Sequence, residues 1–400
     1  MSRIDALKNI SSKKLSLLKS LLSSSHLNVF IKDIMGLSNK TKDDETHLKA
    51  AIDWLCKAQD ITGCGGVAGG YNFTSGWREP YPETTGYIIS TFLNYYKIIN
   101  VKEYFDRALR MGDWEIDVQL SSGGVLGGVG INDKPVVFNT GQVIIGWTAL
   151  FNETKDEKYL EAAVRAADWL LRVQDEDGKW TNYTYENIPH NYHTRVAWPI
   201  LTVYEITKED KYKFAAEKNI KWTMSFVNNK GWFSQMAFKL NDNPLTHTIA
   251  YTLRGLLESS FYLDNAFKEE ILKVVKNASE NIISKYSLQN SNLDKIFLPG
   301  TLDENWDLTD KYSCLTGDAQ LAIIWLKLYE IDKNTIFKDA AINLIEFLKS
   351  MQNLKSKNHG INGAIPGSFP IWGKYQTWAY PNWATKFFAD ALILKKNMKE

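Results

Sequence analysis

The chain has 400 residues, 44% of them hydrophobic and 23% charged, with a net charge of +1. That balance gives no electrostatic case for nucleic acid or an acidic polymer as partner, and no run reaches the roughly 20 apolar residues that span a bilayer. Three cysteines, Cys56, Cys64 and Cys314, make neither a full disulfide set nor a zinc quartet, which fits a reducing, cytoplasmic setting.

Residues 1–46 read as a basic helical extension. Arg3, Lys8, Lys13, Lys14, Lys19, Lys32 and Lys40 outnumber Asp5 and Asp33 over residues 1–40. Lys13, Lys14 and Lys19 break the apolar core that a signal peptide needs. Ile4, Leu7, Leu15, Leu18 and Leu22 recur at helical spacing. Two readings stay open: an interfacial helix in peripheral contact with the inner membrane, or a solvated helix packed on the body.

From residue 47 to 400 one alternation governs the chain. Short connectors carry an aromatic residue, a charged or Asn-rich turn, then a second aromatic. In order they hold Tyr96 and Tyr104, Phe151 and Tyr159, Tyr204 and Tyr212, Tyr262 and Phe267, then Tyr329 and Phe337. Segments of helical periodicity flank each one, as with Leu160, Ala163, Ala167, Leu170 and Leu171, so these are turns between antiparallel helices. Between them lie long connectors rich in Gly and aromatics, at 59–83, 119–139, 174–190 and 352–380. Strict alternation places all short turns on one rim and all long connectors on the other, where a site would be assembled.

Six helices enter from long connectors, near Glu83, Asn139, His193, His247, Thr316 and Asn382. Thr and Asn at these starts predict N-capping, and the small residues that follow, such as Gly86, Gly141, Gly146 and Gly317, suit a crowded inner ring. The partner helices carry more charge and suit an outer layer. Several of those end on Gln (Gln59, Gln174, Gln352) before a Gly-bearing loop, a repeat signature. The prediction is an all-α, (α/α)6 toroid over 47–400.

The alternation, with Gln174, Gly178 and Trp180 in Gln-x-x-x-Gly-x-Trp spacing, resembles two groups that share this toroid. One is the six-hairpin glycosidases with related polysaccharide lyases and uronyl epimerases; the other is the terpene cyclases. The strings Pro82-Glu83-Thr84-Thr85-Gly86-Tyr87, Leu245-Thr246-His247-Thr248-Ile249-Ala250-Tyr251 and Tyr380-Pro381-Asn382-Trp383-Ala384 look like bacterial polysaccharide-biosynthesis proteins of the VpsJ type. That resemblance implies a role in making surface glycan. A terpene cyclase needs an Asp-rich initiator, whose spacing Asp303-Glu304-Asn305-Trp306-Asp307 lacks.

At the long-connector rim, Glu83 and Asp318 form the candidate acid–base pair of a glycoside hydrolase; the helix dipole alone would also favour carboxylates there. A uronyl C5-epimerase or lyase would instead take Tyr192 or His193 as base, with Arg195 on the sugar carboxylate. Asn139, Gln142, His247, Gln320, Asn382 and Lys386 are candidate polar contacts to sugar. Trp77, Trp372, Tyr251 and Tyr380 are candidate stacking faces. His193 and His247 occupy matching positions of adjacent inner helices but lack a third ligand, so no metal and no cofactor is expected. A non-catalytic glycan-binding or scaffold protein is the third reading.

Overall fold

The computed structural model describes residues 14–128, 134–290 and 297–398. The chain is helical over 14–20, then in α1 (Ser24–Ile34). Outer and inner helices follow in turn: α2 (Asp44–Asp60), α3 (Pro82–Ile99), α4 (Lys102–Asp117), α5 (Val137–Thr154), α6 (Glu157–Arg172) and α7 (Thr194–Thr207). The second half repeats the order with α8 (Asp210–Met224), α9 (Thr246–Ser259), α10 (Asn265–Asn290), α11 (Leu315–Asp332), α12 (Thr335–Met351) and α13 (Asn382–Asn397). The odd helices from α3 to α13 pack side by side into an inner ring. It closes where α13 meets both α3 and α2. The sixth hairpin is thus built from the two ends of the chain, and the fold is the all-α toroid of six hairpins.

Inner-ring crowding has a clear cause. A Cβ on Gly146 would stand 2.2 Å from the Gly86 carbonyl oxygen, and one on Gly255 would stand 2.3 Å from the Thr194 carbonyl carbon. Small residues let neighbouring helices close the ring. Outside it, tryptophans fill the space between layers: Trp147 donates to the Gly112 carbonyl at 3.2 Å, and Trp180, fully buried, to the Leu170 carbonyl at 3.0 Å. Their N–H groups are satisfied, as buried indoles require.

The recurring Gln is a clamp. The side-chain amide of Gln174 donates to the Gly178 carbonyl of its own connector at 2.8 Å and to the Ala215 carbonyl of the next outer helix at 2.9 Å. Gln59 does the same with Gly65 and Arg107, and Gln119 with Gly123 and Ala162. Gln352 bonds to Gly363 at 2.6 Å and to His47 at 3.2 Å, tying α12 to α2 across the seam. The glycine cannot be replaced cheaply: Gly363 has φ +90, and a Cβ there would lie 2.3 Å from the Ala50 carbonyl oxygen.

The inner helices start where the spacing predicts, but not by the expected capping. Their N-cap positions are Tyr81, Val136, His193, Leu245, Cys314 and Pro381, none with a side-chain cap bond. The first-turn threonines serve the preceding connector instead. Thr85, Thr140 and Thr385 accept from the backbone N–H of Val67, Val125 and Ile365 at 2.9, 2.9 and 3.0 Å. A buried connector has its own orphan donors, and a hydroxyl one turn into the helix reaches them.

Short strands stitch the connectors together, which periodicity gave no sign of. Strands β1 (Gly70–Asn72) and β2 (Gly76–Trp77) form a hairpin. Two further strands, β3 (Ser313–Cys314) and β4 (Ser368–Phe369), pair with each other; β5 (Ala379–Pro381) joins β1 with Tyr71 opposite Tyr380. Helix α1 packs on these connectors. The His26 ring stacks on Phe73 at 4.1 Å, Phe30 meets Trp372 and Trp378, and Asp33 accepts from the Ile371 N–H at 2.6 Å. Arg3, Ile4, Leu7, Lys8 and Lys13 lie outside the described residues.

Candidate active site

The long connectors frame a cavity of about 560 Å³ at the mouth of the inner ring, a size usual for small-molecule sites. Its wall is aromatic: Tyr81, Phe138, Tyr185, Tyr192, Phe238, Tyr251, Tyr375 and Trp383. The rings support one another edge-on, with Phe138 at 5.6 Å from Tyr192 and Tyr192 at 5.8 Å from Phe238. Trp383 donates to the Tyr375 hydroxyl at 2.7 Å.

Glu83 enters this wall from the first turn of α3, fixed by Pro82 at the helix start. Tyr81 Oη donates to Glu83 Oε2 at 2.5 Å. Burial pushes the Glu83 carboxyl from 4.5 up to about 7, outweighing the Tyr81 hydrogen bond and the Arg195 cation, which both lower it. A carboxyl poised near neutrality can both give and take a proton.

His193 and His247 share the cavity wall. Both nitrogens of the buried His193 ring lack a hydrogen-bond partner in the protein, and burial, with a smaller contribution from His190, holds it well below the usual range. His247 is pushed down to about 3 by burial and by the Arg195 cation. The Gln320 amide nitrogen lies 2.7 Å from His247 Nδ1 and also donates to the Thr316 carbonyl at 3.3 Å. That orientation makes Nδ1 the acceptor and places the imidazole proton on Nε2. Both histidines are neutral at pH 7. Burial raises the Tyr192 phenol well above its ordinary value, so its hydroxyl is protonated at neutral pH.

Of the residues singled out from sequence, Glu83, Asn139, Tyr192, His193, His247 and Tyr251 line the cavity. The others stand elsewhere. Asp318 is buried behind the wall, its Oδ2 accepting from Ser313 Oγ at 2.6 Å, and burial pushes it up to about 8. Arg195 lies behind Tyr251, its guanidinium 5.3 Å from that ring, and Nη2 donates to Gln142 at 3.0 Å. Lys386 pairs with Asp390 over the Tyr87 and Phe387 rings, and burial pulls it down to about 8. Asn382 spends its amide on the Ala68 carbonyl and Thr84. Gln320 supports His247 from behind. Trp77 packs 5.3 Å from Trp54, Trp372 sits between Phe30 and Trp378, and Tyr380 is buried in β5. These aromatics fasten connector and α1 to barrel; they are not cavity faces.

Sequence reasoning passed over Tyr81, Phe138, Glu186, Tyr375, Gln376 and Trp383. Glu186 and Gln376 belong to two connectors with strained backbone: Tyr183, Glu186, Asn187, Gln376 and Trp378 all have φ between 49 and 60. Non-glycine residues in that region cost energy and cluster at functional sites. No sequence signal exposes them, because the strain is imposed by packing. Among the described residues, no group of three or more His, Cys, Asp or Glu is placed to hold a metal ion.

No protein-family model matches the chain, and no curated protein does. Solved structures do. The cellobiose 2-epimerase of Bacillus thermoamylovorans superposes with a TM-score of 0.69 at 12% identity, over 92% of this chain and 98% of that one. A sugar epimerase from a ruminal bacterium gives 0.67 at 14%, over 89% and 99%. The unsaturated glucuronyl hydrolase of Bacillus sp. GL1 gives 0.67 at 14%, over 89% and 97%. At such identities the likeness establishes the fold, shared with these two epimerases and the glucuronyl hydrolase, and leaves the chemistry to the site.

Proposed function

We propose that this chain is a carbohydrate-active enzyme that uses Glu83 as general acid on an uncharged sugar, in the manner of a glycoside hydrolase. The observation that carries the reading is a buried carboxyl, raised to about 7 and hydrogen-bonded by Tyr81, in an aromatic cavity. Protonated Glu83 would give its proton to the leaving glycosidic oxygen. Glu186, the other carboxylate lining the cavity among the described residues, would take a proton from the attacking water. Flat aromatic walls suit the apolar faces of pyranose rings. Among the described residues no Lys or Arg lines the cavity; Lys239 stands 3.9 Å from Glu186 and Arg195 is held behind Tyr251 on Gln142, so neither cation is free in the wall for a uronate. That favours a neutral sugar over the substrate of a uronyl lyase or C5-epimerase. The resemblance to polysaccharide-biosynthesis proteins supports a fragment of surface glycan as the natural substrate.

A second reading is proton transfer at a carbon beside a sugar carbonyl, that is, epimerisation. It is favoured by the neutral His193, whose ring nitrogens have no protein partner, in the same wall as Glu83. Incubation with neutral disaccharides in deuterated water separates the two. Hydrolysis releases new reducing ends without carbon-bound deuterium; epimerisation places deuterium on carbon without cleavage. Sugar binding with neither product, in wild type as in Glu83→Gln, would leave a glycan-binding protein and remove the enzyme reading.

A further inference from the structure

Among the described residues, eighteen large apolar side chains are exposed, and eight of them fall between Leu15 and Leu37. A soluble surface scatters such residues singly; a cluster marks an interaction face. Helix α1 is apolar on two sides. His26, Val29, Phe30 and Asp33 face the barrel connectors through the contacts described above, while Leu27, Ile31 and Ile34, at 40%, 44% and 59% exposure, recur on the outward side. The preceding helical segment adds Leu15 and Leu18, and the turn after it adds Leu22, 85% exposed. Packing on the barrel therefore uses only one face and leaves the other without a partner among the described residues.

Charge says what that partner is. Residues 14–42 hold Lys14, Lys19, Lys32, Lys40 and Lys42 against Asp33 alone, whose carboxylate is bonded to the Ile371 N–H. Lys14 and Lys19 are exposed on the same segment as Leu15, Leu18 and Leu22, and Lys40 and Lys42 are exposed further along, before Asp43, Asp44 and Glu45. A second protein would bury such a stripe under a matching shape; an apolar edge fringed by lysines matches an anionic bilayer, with side chains in the acyl boundary and ammonium groups among phosphates. We propose that the outward face of residues 15–37 binds an anionic phospholipid surface. Because α1 is fastened to the connectors carrying Phe73, Trp372 and Trp378, and Tyr375 and Gln376 of the second connector line the cavity, this contact would hold the cavity mouth beside the membrane, where a lipid-carried glycan would meet it. The lipid contact itself does not rest on the sugar reading.

Flotation of the full chain with vesicles of equimolar phosphatidylglycerol and phosphatidylcholine, against phosphatidylcholine alone, tests this. Wild type should float with the anionic vesicles only, and added salt should weaken it. The double variant L22D/I31D should bind about tenfold less, while I336D, an exposed apolar residue at the start of α12, should bind as wild type does. Melting curves check that the variants fold, and L22S/I31S replaces the first pair if it does not. Absence of flotation with anionic vesicles overturns the proposal, as does flotation unchanged in the double variant. A dimer abolished by L22D/I31D, with no vesicle binding, assigns the face to a second copy and equally overturns it. None of these readouts involves turnover, so failure here is distinct from failure of the enzyme reading.

Discussion

The two rims of this toroid are made from the same helices and behave oppositely. At the short-turn rim the chemistry repeats and is satisfied. Asn100, Lys155, Lys208 and Lys333 each end an inner helix in the left-handed region, and each N–H returns to the carbonyl of an aromatic four residues back: Tyr96, Phe151, Tyr204 and Tyr329. Three of those lysines lie over that same ring, at 5.3 to 5.7 Å. At the long-connector rim the repeat dissolves. There His193, Asp318 Oδ1, Asn191 Nδ2, Gln320 Oε1 and Asn382 Oδ1 are buried polar atoms without protein partners. One end repeats a closed hydrogen-bond pattern at four turns, while around the cavity, clamps and strands stand beside unspent hydrogen-bonding capacity. That is the division expected when a rigid scaffold carries a site.

The sharpest way to break this comparison is Glu83→Gln. Losing a general acid should lower turnover on a neutral glycoside about 100- to 10,000-fold, with the melting temperature kept or raised. A variant of unchanged turnover would move the site away from Glu83.

Next is the pH dependence of stability. Glu83 has a folded value of about 7 against an ordinary 4.5, so between those limits the folded chain holds a proton that the unfolded chain has released. Stability should therefore be greatest below pH 4.5 with respect to this group, fall by on the order of 3 kcal/mol as pH rises to 7, and stay level above. Asp318, raised from 3.8 to about 8, should extend the fall to pH 8. In melts across this range Glu83→Gln should lose its share of the slope between pH 4.5 and 7 and keep the fall from 7 to 8, whereas Asp318→Asn should lose the fall above pH 7 and its own share of the slope below it.

The Gln clamps test the framework of the long-connector rim itself. Gln352→Ala leaves the buried carbonyls of His47 and Gly363 unmet at the seam, at a cost of about 2–4 kcal/mol in urea unfolding. Gln119→Ala, whose amide is only partly buried, should cost about half that. Smallest is Lys155→Gly at the short-turn rim, where glycine relieves the left-handed backbone but removes the cation over Phe151. The net change should stay within about 1 kcal/mol.

Much of the fold was legible because its signals are local. Turn chemistry, helical periodicity and the Gln–Gly repeat act over a few residues, and they set six inner starts, the alternation of rims and the outer layer. The candidate site was half legible: Glu83, His193 and His247 reach the cavity, whereas Arg195, Lys386 and Asp318 sit behind it.

Sequence by itself determined which end of the barrel would hold polar groups, since connector length and order are written along the chain. Tertiary structure alone decided which of those groups meet a ligand. A helix turns its side chains by about 100° per residue, so one step along a first turn separates a cavity wall from a seam between helices. Glu83, second in α3, faces the cavity and Asp318, fourth in α11, does not; the choice belongs to the packing of the ring, which no single helix encodes.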